Sequence, residues 1–336
     1  MSISKVISGT ISILIIIVGC QESSEVNKFG FVKPEHFPEP TYTFDNNPVT
    51  EAGFNLGKRI FNDGSLSRDG SVSCASCHDQ AAAFSDPQHR LSIGIDGRIG
   101  DRNAPQIANL AFMKNFFWDG GVIHLDFIPL NAIENPKEMD EMPTTVIEKL
   151  QADSKYPEQF QEAFGTPKIT TPRMLHALSQ FMAMMVSSNS VYDKYLLEKG
   201  ELTEEQLKGL EQFEDKCSTC HSGVLFTDQT FRNNGLDSEF EDLGRGIITE
   251  KEVDHGKFKV PSLRNVELTA PYMHDGRFES LEDVLEHYAQ NIHNSGTLDP
   301  FLKEGIPMSE AEKSQIIAFL KSLTDYDFIA NPQFFQ

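Results

Sequence analysis

Two copies of one five-residue pattern, C-x-x-C-H, constrain this chain more than any other feature. The first copy occupies residues 74–78 and the second occupies residues 217–221. In this pattern the two thiols add to the vinyl groups of a haem, and the adjacent imidazole binds its iron. The chain is therefore predicted to carry two covalently bound haem c groups. Their expected attachment residues are Cys74, Cys77, Cys217 and Cys220, and the expected iron ligands are His78 and His221.

The cysteine count agrees with this interpretation. Of the five cysteines, four belong to the two motifs and only Cys20 remains, so none is left over for disulfides. Zinc would use the four thiolates as one site, and a thioredoxin-like C-x-x-C site needs no following histidine. Both alternatives are therefore less consistent with the pattern than haem.

The N-terminus resembles an export signal. Lys5 precedes an apolar run that ends at Gly19, and this run is too short to span a bilayer as a mature helix. Residues 17–20 resemble a bacterial lipobox, which implies cleavage before Cys20 and lipid attachment to its sulfur. The prediction is an exported periplasmic or cell-envelope lipoprotein, bound to the membrane through that anchor only. An ordinary signal peptide with an incidental cysteine is the alternative.

The length of 336 residues allows two hydrophobic cores, and helix signals precede each motif. One amphipathic segment runs from Thr50 to Phe61, and another begins with a capping box at Thr203. We expect a mainly α protein with two cytochrome c-like domains, each with one covalent haem, packed around an interdomain interface. The expected divisions are 1–19 for the signal, 20–45 for the tether and linker, 46–200 for the first haem domain and 201–336 for the second.

The net charge of −21 argues against nucleic-acid binding and favours a basic macromolecular partner. A homodimer is compatible with the sequence.

Several further motifs carry a family resemblance. They lie at residues 73–78, 102–105, 117–120, 135–139, 217–221, 260–265 and 270–276. Over roughly residues 45–325 the chain resembles the bacterial di-haem cytochrome c peroxidases, a superfamily that includes the methylamine-utilisation enzyme MauG. The resemblance implies that the N-terminal haem reacts with peroxide, that the C-terminal haem receives and stores electrons, and that a calcium ion lies between them.

The resemblance also bears on the far side of the first haem. In many members a histidine in the loop after the first motif blocks that iron, but residues 92–97 contain none. The first iron is therefore expected to be open without prior reduction, as the resemblance to MauG implies. His89 lies slightly earlier and is the alternative ligand. Glu138, twenty positions after Trp118, matches the distal acid–base residue, although by its local sequence alone it would be a surface residue. Ile128 stands where the family has a glutamine.

The far ligand of the second haem follows from helical periodicity. A helix starting at Ser280 would bury Leu281, Val284 and Leu285, and Tyr288 falls on the same stripe. His287 lies about 100° round the helix and is expected to face away. Tyr288 resembles the tyrosinate ligand of MauG, whereas typical peroxidases have methionine. A core tyrosine, Met273 and Met308 remain alternatives.

Other residues receive roles from the resemblance only. Trp118 matches an electron relay between the haems. Asn103, Thr269 and Pro271 match positions that supply oxygen atoms to calcium, a hard ion suited to such ligands. His274 matches a family position that tunes a haem edge or propionate, and a structural role is the alternative.

Three functions follow from these expectations. The favoured one is a peroxidase that reduces hydrogen peroxide to water with electrons from a small c-type cytochrome or copper protein. The second is a MauG-like oxidase that uses a high-valent di-haem state to oxidise a protein side chain. The third is an electron carrier without turnover.

Overall fold

A computed structural model describes residues 29–335, so the predicted export signal and Cys20 lie outside the described residues. The described part is mainly helical, as expected, with one short antiparallel pair of strands. The helices are α1 Glu51–Phe61, α2 Ile128–Glu134, α3 Pro143–Ala152, α4 Tyr156–Phe164, α5 Thr171–Ala183, α6 Val191–Leu196, α7 Glu204–Lys216, α8 Arg245–Thr249, α9 Leu281–Gln290, α10 Glu310–Lys321 and α11 Tyr326–Ile329, and the strands are β1 Phe231–Arg232 and β2 Phe258–Lys259.

Capping residues set the start of the helices next to the motifs, as the sequence predicts. Thr50 is the N-cap of α1, and its side chain accepts a hydrogen bond from the backbone of Gly53. Thr203 and Gln206 form the capping box of α7. These side chains satisfy backbone N–H groups that have no partner within the helix, so each helix begins at a defined residue.

The helix before each motif packs against a later helix through a glycine. In α1, Gly57 lies directly against the backbone of Ala177 in α5, and in α7, Gly209 lies directly against the backbone of Gln315 in α10. A β-carbon at either glycine would overlap these backbone atoms. The two halves of the chain therefore repeat one device, a close helix pair that supports a C-x-x-C-H motif.

Two hydrophobic cores surround these helix pairs. The first contains residues of α1, α4 and α5, and the second contains residues of α7, α9 and α10. Phe328 and Phe334, near the C-terminus, pack in the first core. Part of the segment expected to be a linker also packs there, because Phe37 and Tyr42 are buried in it.

A buried ion pair joins α6 to the second half of the chain. The two terminal guanidinium nitrogens of Arg264, Nη1 and Nη2, donate to the carboxylate of Asp193 at 2.8 and 2.7 Å. Both side chains are fully buried. The Arg264 Nε also donates to the backbone oxygen of Val224, close to the second motif. Within residues 29–335, no helix is both long and apolar enough to cross a membrane.

Candidate active site and haem cavity

Both C-x-x-C-H motifs open into one internal cavity of about 990 Å³. The lining is largely apolar, with a few charged and polar side chains among it. The predicted residues that line this cavity are Cys74, Cys77, His78, Asn103, Trp118, Glu138, Cys217, Cys220, His221, Thr269, Pro271, Met273, His274, Tyr288 and Met308. The fold thus brings together nearly every residue that the sequence analysis selected in the described part of the chain.

The first motif is held in a short 3-10 turn, Cys74–Ser76, followed by His78. The His78 Nδ1 donates to the backbone oxygen of Phe84 at 2.8 Å, which fixes the ring and leaves Nε2 for a metal. Burial lowers the pKa of His78, so the imidazole is neutral, as an iron ligand must be.

The second motif repeats this arrangement at the end of α7. The His221 Nδ1 donates to the backbone oxygen of Phe226 at 3.0 Å, and burial lowers the pKa of this histidine as well. Burial raises the pKa of Cys74 to about 12, of Cys77 to about 11 and of Cys217 to about 12. In the described part of the chain none of the four motif thiols is in a disulfide. The cavity, the oriented imidazoles and the free thiols fit two haem c groups.

Glu138 lies on the wall of the cavity near the first motif, in the turn that follows α2. Its Oε1 accepts a hydrogen bond of 2.8 Å from the Asn135 amide. Burial raises the pKa of Glu138, and its charge in turn contributes to the raised pKa of both thiols of the first motif. Ile128 lines the same cavity, so no amide occupies that position.

The loop after the first motif brings Ser92, Ile93 and Gly94 to the cavity wall. Gly94 packs directly against the backbone of Glu138, whose carbonyl accepts a 2.9 Å hydrogen bond from the Ile95 amide. His89 does not line the cavity. Its Nδ1 bonds the Asp86 carboxylate at 3.1 Å, and its side chain is 38% exposed. The geometry therefore does not favour His89 as an iron ligand.

Tyr288 extends from α9 into the cavity, as the periodicity predicts. Burial raises the pKa of this phenol to about 12, and a hydrogen bond with Asn234 partly opposes that rise. His287 points away from the cavity but is not exposed to solvent. It is 3% exposed, and its Nε2 donates to the backbone oxygen of Asn234 at 3.0 Å. A neighbouring loop therefore buries the side of α9 that carries His287.

Trp118 is held from both halves of the chain. Its indole Nε1 donates to the backbone oxygen of Asn103 at 2.9 Å, and its own carbonyl accepts a 2.7 Å hydrogen bond from the backbone of Lys259. The Asn103 side-chain amide donates to the backbone oxygen of Arg90. In residues 29–335 no group of three or more His, Cys, Asp or Glu side chains could hold a metal, and the calcium assignment relies on other oxygen ligands.

Several known proteins are similar to this chain over most of its length. Residues 51–201 match a family model described as di-haem cytochrome c peroxidase. The methylamine utilization protein MauG of Methylorubrum extorquens is 35% identical, covering 90% of this chain and 86% of that protein. A cytochrome c551 peroxidase of Nitrosomonas europaea is 34% identical, covering 80% of this chain and 79% of that protein.

The chain belongs to the di-haem cytochrome c peroxidase family.

Solved structures of the di-haem cytochrome c peroxidase family agree with the fold. A MauG-like protein associated with microbial copper homeostasis superposes with a TM-score of 0.84 at 32% identity, covering 91% of this chain and 98% of that chain. The diheme peroxidase BthA from Burkholderia thailandensis superposes with a TM-score of 0.76 at 22% identity, covering 90% of this chain and 93% of that chain. The second likeness shows the fold alone.

Lys259 and Gln106 are among the polar residues of the cavity that sequence reasoning missed in this family member. Lys259 is a half-buried cation, and the amide nitrogen of Gln106 is buried without a hydrogen-bond partner among the described residues. Lys259 follows a phenylalanine in a short strand, which alone predicts nothing about burial. Gln106 directly follows the matched run at residues 102–105, and that adjacency was the only available signal.

Proposed function

We propose that this protein is a di-haem peroxidase that reduces hydrogen peroxide to water with electrons from a small redox protein. The observation that carries the proposal is the position of Glu138. This half-buried carboxylate lines the cavity beside the first haem motif, and the second motif lines the same cavity. Family membership supports the same activity.

In this proposal the first half of the chain holds the reaction site. His78 would bind one iron through Nε2 while Phe84 holds the other ring nitrogen. Bound haem supplies the electrons that cleave the O–O bond. Glu138 would take a proton from the near peroxide oxygen and return it to the leaving oxygen, which departs as water. Burial raises the pKa of Glu138, and a group that must both accept and donate a proton benefits from such a shift.

The second half would hold the electron-storing haem. His221 would bind its iron on one side, and Tyr288 would bind it on the other as an anionic oxygen ligand. Such a ligand lowers the reduction potential relative to a soft thioether. Met273 and Met308 also line the cavity and are the alternative ligands. Trp118, hydrogen-bonded to both halves, would carry electrons between the sites.

The remaining elements of the proposal concern organisation. We assign one haem to residues 46–200 and one to residues 201–336, with calcium held by oxygen atoms of Asn103, Thr269 and Pro271. A lipid on Cys20 would tether the exported protein to the cell envelope through residues 20–45. A homodimer remains a prediction.

The electron donor is proposed to dock near α7, the helix that leads into the second motif. The exposed face of this helix is rich in carboxylates, which would attract a basic cytochrome or copper protein. The exposed acidic residues of α7 are Glu204, Glu205, Glu211, Glu214 and Asp215.

One observation favours a second candidate, a MauG-like oxidase of protein side chains. Tyr288 lines the cavity at the position where MauG has a tyrosinate ligand. In this alternative the two oxidising equivalents would be removed from another protein rather than from a small donor. The similarity to MauG of Methylorubrum extorquens supports it as the alternative function.

The experiment is to add hydrogen peroxide to the ferric holoprotein, follow the haem spectrum, and then measure turnover with a reduced small c-type cytochrome. A spectral reaction with fast turnover supports the peroxidase. A long-lived oxidised state with negligible turnover supports the oxidase. No peroxide reaction, before or after partial reduction, would contradict both and leave only the electron carrier.

A further inference from the structure

Lys259 places a positive charge in the wall of the haem cavity, close to Trp118. It lies in β2, opposite Phe231 of β1, and is one of the residues that line the cavity. Its backbone N–H donates to the Trp118 carbonyl at 2.7 Å. Its Nζ has one hydrogen bond among the described residues, a 3.1 Å donation to the backbone oxygen of Asn115.

The charge on Lys259 has no counter-ion within residues 29–335. Burial alone shifts the pKa of Lys259 and lowers it to about 8. No nearby carboxylate of the chain raises this pKa. A half-buried ammonium group with a single backbone acceptor and no carboxylate partner is poorly compensated within the chain. This is unusual in a chain with 50 acidic and 29 basic residues.

Two arginines that line the same cavity show the contrast. Arg102 bonds the carboxylates of Asp119 and Asp242, at 2.5 Å and 2.7 Å. Arg232 bonds Asp228 and Asp299, at 2.7 Å and 2.8 Å. Both are neutralised within the protein, whereas Lys259 is left for a partner that the chain does not supply.

A second donor points to the same kind of occupant. The Nε2 atom of Gln106 is buried without a hydrogen-bond partner in the described part of the chain, and Gln106 lines the same cavity. A buried donor without an acceptor is uncommon in folded proteins. The cavity is therefore suited to an occupant with acceptor groups of its own, and anionic groups match the lysine best.

We propose that Lys259 forms an ion pair with a propionate carboxylate of one of the two haems, at the haem edge next to Trp118. This inference rests on the proposed haem binding. The ion pair gives the Lys259 ammonium its counter-charge and fixes the orientation of the haem edge. Because a nearby cation favours the less positive ferrous state, Lys259 also holds the reduction potential of that haem up.

The test compares Lys259→Met with Lys259→Arg in the full-length holoprotein. Lys257→Met is the matched control, because Lys257 lies just before β2 but bonds Asp254, at 3.2 Å, outside the cavity. Mass spectrometry first establishes that each variant carries two haems. A redox titration then resolves the potential of each haem, and resonance Raman spectroscopy follows the propionate bending bands.

We expect Lys259→Met to lower the reduction potential of one haem by about 59 mV. For one electron this corresponds to a tenfold change in the reduction equilibrium. The propionate band of that haem should shift as well, which identifies whether the first or the second haem supplies the carboxylate. Lys259→Arg should keep most of the wild-type potential, and Lys257→Met should keep all of it.

Unchanged potentials and unchanged propionate bands in Lys259→Met would overturn the ion pair. An equal shift in Lys259→Arg would also overturn it, because size rather than charge would then matter. If Lys259→Met fails to fold or attach haem, Lys259→Gln is compared with Lys259→Arg by the same criteria. Failure of the proposed function is distinguishable, since it appears as wild-type protein without haem or without peroxide reaction.

Discussion

The two haem motifs have closely similar supports but different opposite walls. On the supporting side, His78 and His221 each donate to the backbone oxygen of a nearby phenylalanine, and the helix before each motif packs through a glycine against a later helix. Elsewhere in the cavity, Glu138 lies near the first motif in a turn, and Tyr288 lies near the second motif in a helix. In the proposed function the repeated elements bind the cofactor, and the unrepeated segments determine what each iron can do.

Replacing Glu138 tests the first half of this comparison and should have the largest effect. Glu138→Gln keeps the size of the side chain but removes proton transfer, so the rate of reaction with peroxide should fall by roughly 10²–10⁴-fold. Stopped-flow spectroscopy measures this rate. The spectrum of the second haem should not change. A loss of less than about threefold would show that another group moves the proton.

Replacing Tyr288 tests the second half. Tyr288→Phe removes the anionic oxygen, so the spectrum of the second haem should change and its reduction potential should rise by about 59 mV or more, a tenfold change in the equilibrium. A redox titration followed by absorption spectroscopy measures both the spectrum and the reduction potential of the second haem. Met273→Leu and Met308→Leu serve as controls and should leave the second haem unchanged. An unaltered spectrum in Tyr288→Phe would exclude this ligand.

Alanine at the packed glycines tests whether the two helix pairs are equivalent supports. Gly57→Ala and Gly209→Ala each force a β-carbon into the backbone of the neighbouring helix, so each should lower the free energy of unfolding by about 1–3 kcal/mol. Denaturant unfolding of the holoprotein measures this. Gly296→Ala, with open space around it, should stay within about 0.5 kcal/mol of wild type. Equal stability of all three would contradict the packing argument.

The pH dependence of the peroxide reaction should separate Glu138 from an exposed glutamate. Burial raises its pKa, so the carboxyl group stays protonated up to a higher pH and cannot then accept the first proton. The rate should therefore fall as the pH drops through this raised pKa, about tenfold per pH unit well below it. In Glu138→Gln this fall in rate at low pH should be absent. A fall in rate centred on the ordinary pKa of glutamate would contradict the assignment.

The smallest effect is expected at His89, which the structure holds against Asp86 outside the cavity. His89→Ala should leave the ferric spectrum of the first haem unchanged and the peroxide rate within about twofold. A newly reactive first haem in this variant would mean that His89 had blocked it, and the two halves would then differ less than proposed.

The elements of this fold that could be predicted from sequence are those fixed by local chemistry. Capping residues predicted the starts of α1 and α7, and helical spacing placed Tyr288 on a buried stripe. Glu138 could be selected only through the family resemblance, because its burial depends on the distant loop around Gly94.

Other features depend on contacts between segments far apart in sequence. His287 is buried because the loop at Asn234 covers it, and Phe334 joins the first core although it lies at the other end of the chain. The one hydrogen bond that Lys259 Nζ donates within the described residues likewise goes to a distant residue, Asn115. No local pattern near these residues records such contacts.

Ligand binding to the ferric holoprotein tests the division between the two halves most directly. Cyanide, a small ligand for open ferric haem, is titrated without prior reduction while the spectra of both haems are followed. One equivalent should bind per protein that carries two haems, and only the haem attached through His78 should change. Binding to neither haem, or to both, would contradict an open first iron beside Glu138 and a closed second iron opposite Tyr288.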